Sequence, residues 1–215
     1  MKILFDLDGT LTDSGVGIMN CAAAAMAPYG VQVARQELRR FVGPPLRDSF
    51  ARNGIPAEHI EAAIAAFRAR YWTTGKYENF PYPGIPEALA ALQAEGHRLF
   101  IATSKPEHLA KDVLHYFNMD QYFERICGAS DDASRERKEQ VIAYLLDSVG
   151  REGPMVMVGD TELDVRGAAA FGIPAIGVAW GYGRVEEMRA AGAVAIAENA
   201  EALLALLRKM QIAAP

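Results

Sequence analysis

Four short clusters in this 215-residue sequence combine residue types that can do chemistry, and each stands at the edge of an apolar run or a helical stretch. Asp6-Leu7-Asp8-Gly9-Thr10 follows Ile3-Leu4-Phe5, and Thr103-Ser104-Lys105 follows Leu99-Phe100-Ile101-Ala102. Gly159-Asp160-Thr161-Glu162-Leu163-Asp164 follows Met155-Val156-Met157-Val158, and Lys138 opens a helical stretch after Arg135-Glu136-Arg137. In an extended segment Asp6 and Asp8, two residues apart, start on the same side of the chain. Gly9 lets backbone N–H groups approach an anion closely. Thr103 and Ser104 supply hydroxyl and N–H donors where a helix is expected to open, a position that favours an oxyanion. Asp160 and Asp164 add two carboxylates. Crowded carboxylates repel unless a cation sits among them, and Asp6 with Asp160 suits Mg²⁺, a hard ion that takes one or two carboxylates, backbone oxygen and water. No His or Cys spacing favours zinc. A divalent cation beside a carboxylate nucleophile and anion-binding donors is the equipment of phosphoryl transfer.

These clusters need a scaffold that delivers them to one place. The apolar runs at 3–5, 98–103, 155–159 and 174–178 are continuous rather than alternating, which predicts strands buried on both faces. Segments 125–128 and 193–196 are two further strand candidates. Between them, apolar residues at helical spacing predict helices over 85–94, 107–117, 136–149, 162–171 and 200–210. Strand alternating with helix predicts an α/β fold, a doubly wound parallel sheet whose strand ends share one rim. Residues 14–80 break the rhythm with helical stretches at 16–27, 37–41 and 57–71, separated by Pro28-Tyr29-Gly30, Gly43-Pro44-Pro45 and Asn53-Gly54-Ile55-Pro56. Some 85 residues before Arg98 is too many for one loop and one helix, so a small all-helical cap is expected at 14–80, inserted in a core of 1–13 and 81–215.

Composition sets outer limits. Hydrophobic residues are 51% and charged residues 23% of the chain, ordinary for a globular protein. A formal charge of −5 argues against gripping nucleic acid, and no apolar run reaches membrane-spanning length. Cys21 and Cys127 lack metal-ligand spacing and read as free thiols of a cytoplasmic protein. His59, His97, His108 and His115 share no spacing and read as surface or packing residues.

The chain resembles the haloacid dehalogenase superfamily of phosphohydrolases over its whole length. Asp6-Leu7-Asp8-Gly9-Thr10-Leu11 matches the first motif, Thr103 the second, Lys138 the third, and Gly159-Asp160-Thr161 with Asp164 the fourth. The proline that usually follows the third-motif lysine is absent. The cap inserted just after the first motif is similar to that of the phosphoglycolate-phosphatase-like branch. The resemblance implies a Mg²⁺-dependent phosphatase acting on a small phosphorylated metabolite, monomeric or homodimeric. In it Asp6 attacks phosphorus and Asp8 protonates the leaving group, then activates water. Gly9, Thr103 and Ser104 bind phosphoryl oxygens, and Lys138 neutralises phosphate and Asp6. Asp6, Asp8, Asp160 and Asp164 surround the metal, with Asp164 acting through water or by orienting Lys138. Phe41 to Arg47 is the expected cap loop over the site. There Arg47 either reads a substrate anion or braces the cap. Phosphoglycolate, a 5′-nucleotide, pyrophosphate or a sugar phosphate handled as by a phosphoglucomutase all fit such a site. A non-enzymatic phospho-acceptor module is the rival from another class, but it would carry its aspartate on a middle strand and no large insertion.

Overall fold

The computed structural model describes residues 1–132 and 134–212. The chain divides into two compact units, one of Met1–Thr12 with the chain from Pro81 onward, the other Asp13–Phe80.

The strands are β1 (Lys2–Phe5), β2 (Thr12–Asp13), β3 (Phe80–Pro81), β4 (Arg98–Pro106), β5 (Phe123–Ala129), β6 (Met155–Gly159), β7 (Ala175–Val178) and β8 (Ala195–Ala197). Six of them form one sheet in the order β5-β4-β1-β6-β7-β8, and every pairing in it is parallel. The pairs Phe5–Ile101 and Phe5–Val158 hold β1 centrally between β4 and β6. From β1 the chain builds outward through β4 to β5, then returns to build β6, β7 and β8 on the other side. That reversal opens the crevice at the carboxyl edge where ligands bind in such sheets. The short pair β2–β3 lies where the chain passes from one unit to the other.

The helices are α1 (Gly15–Met26), α2 (Arg35–Leu38), α3 (Leu46–Arg52), α4 (Ile60–Thr73), α5 (Ile85–Ala94), α6 (Glu107–Tyr116), α7 (Lys138–Val149), α8 (Glu162–Ala169), α9 (Val185–Ala190) and α10 (Ala200–Ile212). Because side chains alternate along a strand, each strand serves two cores. Ile3, Phe5, Leu99, Ile101, Val156 and Val158 pack with α5, α6 and α10, while Leu4, Phe100, Ala102 and Met157 pack with α7, α8 and α9. The continuous apolar runs follow from this double coverage. Among the described residues no helix is long and apolar enough to cross a membrane.

The Asp13–Phe80 unit has its own aromatic core. Phe41 meets Phe50 edge-on at 5.2 Å, Phe50 meets Phe67 at 6.3 Å, and Phe67 stacks on Tyr71 at 5.6 Å. Two helices were not foreseen. The breaker Gly43-Pro44-Pro45 leads straight into α3, because a proline with fixed φ suits the entry to a helix. Arg47 therefore stands in the first turn of a helix rather than in a loop. The six-residue α9 buries only Met188, too little for a periodic signal.

The strand core should tolerate truncation poorly. Phe100 is fully buried on a central strand, so Phe100→Ala should cost about 3–5 kcal/mol, read as a lowered urea midpoint at unchanged slope.

Candidate active site

The site is built on the carboxyl edge of β4, β1 and β6. Just past β1, the Asp6 N–H still donates to the Val158 carbonyl at 2.9 Å, so its side chain leaves the sheet from a fixed backbone. The chain then turns sharply: the N–H groups of Thr10, Leu11 and Thr12 all converge on the Leu7 carbonyl at 3.2, 2.9 and 3.1 Å. Leu7 and Leu11 anchor this turn by complete burial. Gly9 has φ +89°, and a Cβ there would collide with the Asp160 carboxylate, so both conformation and space require glycine.

Lys138 is the first residue of α7 and is buried. Its ammonium lies 2.8 Å from Asp6 Oδ1 and 2.7 Å from Asp164 Oδ1, and donates to the Ala102 carbonyl at 2.9 Å. Gly167 in α8 leaves the room that the lysine stem occupies. The other Asp164 oxygen accepts the Thr161 N–H and hydroxyl at 3.0 and 2.8 Å, a capping box that starts α8. One carboxylate thus caps a helix and holds the lysine. Asp160 accepts the Tyr182 N–H at 2.8 Å and the Thr10 hydroxyl at 3.4 Å. The Trp180 indole N–H donates to the Thr10 carbonyl at 3.1 Å, tying the loop after β7 to the turn after β1.

Asp6, Asp160 and Asp164 are all buried and each offers a carboxylate oxygen within 4.8 Å of the others. Burial, then Asp164 and Asp6, push Asp160 well above the ordinary carboxylate range, against the opposing pull of the Tyr182 N–H and Lys138. Burial likewise raises Asp164, and Lys138 works against that shift. Burial disfavours the Lys138 ammonium, but Asp164 and Asp6 outweigh it and hold the lysine charged. One ammonium contacts two of the three clustered carboxylates, all donors are oxygens, and all three carboxylates are buried. This donor set fits a hard divalent cation.

Asp8 is not among those three carboxylates. Both its oxygens face the Lys105 ammonium, at 3.1 and 2.9 Å. Thr103 is buried at the end of β4, whereas Ser104 is exposed. The helix expected over 107–117 is α6, and Thr103-Ser104-Lys105 lie in β4, which runs on to Pro106 because a residue before proline is pushed extended. Arg135 and Arg137 stand elsewhere: Arg135 donates to the Gly128 carbonyl at 2.8 Å and stacks over Tyr144, and Arg137 precedes α7 as its N-cap. Arg47 pairs with Glu61 of α4, with both side chains mostly in solvent. Two contributors escaped the sequence reading. Lys105 was signalled by period-two spacing from Thr103, and the Trp180-Gly181-Tyr182-Gly183 loop by its place after a strand on the same rim.

Removing one member of a buried ion cluster strands the others. Lys138→Met should lower stability in EDTA by about 3–5 kcal/mol, and adding Asp164→Asn should recover part of that loss. Urea unfolding of the single and double variants measures both, and a Lys138→Met protein as stable as wild type would contradict the ion cluster.

Residues 3–178 match the model of the haloacid dehalogenase-like hydrolase family. A 5′-nucleotidase of Pseudomonas aeruginosa is 42% identical over 88% of this chain and 87% of its own length. The tyrosine-protein kinase PtkA of Mycobacterium tuberculosis is 44% identical over 86% of this chain, which spans 64% of that longer protein. Among solved structures, a predicted phosphatase from Clostridium acetobutylicum superposes with a TM-score of 0.90 at 37% identity, covering 97% of this chain and 98% of that one. With three strand-end clusters and the start of α7 gathered at one rim and its sequence matched from β1 to β7, this chain belongs to the haloacid dehalogenase-like hydrolase family.

Proposed function

We propose that this chain is a Mg²⁺-dependent phosphatase that hydrolyses a small phosphomonoester through a phosphorylated Asp6. The observation that carries the reading is the ion cluster in which buried Lys138 bridges Asp6 and Asp164 beside Asp160. It sets a buried ammonium 2.8 Å from the Asp6 oxygen, which offsets repulsion between a carboxylate nucleophile and the phosphoryl group it approaches.

Asp6 attacks phosphorus as the bond to the leaving oxygen breaks, and Asp8 gives that oxygen a proton. Asp8 then takes a proton from water, which attacks phosphorus and releases phosphate from Asp6. Lys138, Thr103 and the Gly9 backbone hold phosphoryl oxygens. Mg²⁺, held by Asp160 and Asp6, would supply neutralisation of the transferring phosphoryl charge. Asp164 acts by orienting Lys138, in line with their 2.7 Å contact.

Two substrate classes stand out. The resemblance to the phosphoglycolate-phosphatase-like branch favours a small phosphorylated acid, and the 42% identity to a 5′-nucleotidase favours a nucleoside monophosphate. Initial rates on 2-phosphoglycolate, nucleoside 5′-monophosphates, sugar phosphates and pyrophosphate at low concentration separate them by kcat/KM.

Turnover should vanish in EDTA and return with Mg²⁺; full activity without metal would sink the proposal. Mg²⁺ at 100 times its Kd should also stabilise the wild type by about 2.7 kcal/mol, and Asp160→Asn should lose that gain. Asp6→Asn should reduce turnover by several powers of ten, whereas Asp8→Asn should cost about 10²–10⁴-fold, more for alkyl than for nitrophenyl leaving groups. A folded Asp6→Asn protein with wild-type turnover would refute the nucleophile.

A further inference from the structure

We propose that Lys105 is a positioning residue that aims the Asp8 carboxylate at the leaving group. The inference rests on the proposed phosphatase reading and on four structural features. The Lys105 side chain is 3% exposed and lies 2.9 Å from the nearer Asp8 oxygen. Its second contact, at 3.1 Å, engages the other oxygen, so the pair fixes the plane of the carboxylate as well as its position. The Asp8 side chain keeps 18% exposure, so the anchored side chain is not fully enclosed. Asp8 is absent from the buried cluster of Asp6, Asp160 and Asp164.

The strand geometry explains how lysine reaches this place. The last register pair of β1 with β4 is Phe5–Ile101, yet β4 continues to Pro106. The overhang is held from its other side, where Pro106 pairs with Ala129 of β5. Gly128 permits this: a Cβ there would stand 2.5 Å from the Lys105 carbonyl and 2.6 Å from Glu107 Cα. The Lys105 N–H donates to Thr103 Oγ1 at 3.2 Å, which couples the lysine backbone to a residue proposed to hold phosphate. A buried ammonium must stay paired, and a carboxylate chelated by it gives up its other rotamers. Two lysines thereby divide four carboxylates. Lys138 serves the group around the nucleophile, and Lys105 sets Asp8 apart to handle protons.

A residue that acts on the reaction through Asp8 leaves a distinct kinetic mark. kcat/KM reports the step that forms the phosphorylated enzyme, where Asp8 protonates the leaving oxygen. Lys105→Met should steepen the dependence of kcat/KM on leaving-group pKa. An alkyl phosphate should lose about 10²-fold or more, while p-nitrophenyl phosphate, whose leaving group needs no proton, keeps most of its rate. Combined with Asp8→Asn, Lys105→Met should add no further loss. The Mg²⁺-induced shift in melting temperature should stay as in wild type. If Lys105→Met does not fold, Lys105→Gln, which retains an N–H donor, carries the same slope measurement. Equal losses on alkyl and aryl phosphates, additivity with Asp8→Asn, or an unchanged slope overturns the assignment. An Asp8→Asn enzyme whose leaving-group dependence matches wild type would instead overturn the phosphatase mechanism itself, and this inference with it.

Discussion

Asp6, Asp160 and Asp164 lie buried within one small volume, and their mutual repulsion is the constraint around which this fold is arranged. Desolvation makes each charge costly, and each neighbour makes the next one costlier. Lys138 offsets part of that cost through two short contacts, and the N–H groups of Tyr182 and Thr161 offset more. What remains is an excess of negative charge among oxygen donors, which a hard divalent cation relieves. Neutralisation that is incomplete without a ligand is what a binding site requires, because the missing charge becomes binding energy.

The parallel sheet makes this crowding possible. Adjacent strand ends lie about 4.8 Å apart, so residues leaving β1 and β6 meet without long side chains. The reversal of chain direction around β1 opens a crevice between helices of opposite faces. The turn after β1 closes on Leu7 and brings Gly9 under Asp160, where no side chain would fit. The helix that begins at Lys138 carries its ammonium back across β4 to the Ala102 carbonyl. Asp164 spends one oxygen on its own helix and one on Lys138, so a local capping motif and the ion cluster depend on the same carboxylate.

Much of this was legible in the sequence because the signals were strong and local. Continuous apolar runs marked β1, β4, β6 and β7, and acidic or hydroxyl residues at their ends marked the rim. The misreadings have physical reasons. Thr103-Ser104-Lys105 read as donors just ahead of a helix, but β4 runs through them to Pro106, which holds Lys105 extended, so Ser104 is exposed and Lys105 reaches Asp8. Gly43-Pro44-Pro45 suggested a rigid loop, but proline at a helix entry starts α3 and sets Arg47 against Glu61. The contributions of Trp180 and Tyr182 to the site run through an indole N–H to a backbone carbonyl and a backbone N–H to a carboxylate. The Thr10 carbonyl and the Tyr182 N–H are backbone groups, which leave no side-chain pattern to read.

The central claim is that Asp6 becomes covalently phosphorylated. Asp8→Asn enzyme, mixed with excess p-nitrophenyl phosphate and Mg²⁺ and quenched in acid within milliseconds to seconds, tests it most directly. Peptide mass spectrometry should then find one phosphoryl group on Asp6, removable by hydroxylamine and missing from an Asp6→Asn control. Nitrophenol released in steady turnover with no phosphorylated peptide at any quench time, or a phosphoryl group on another residue, would contradict the account.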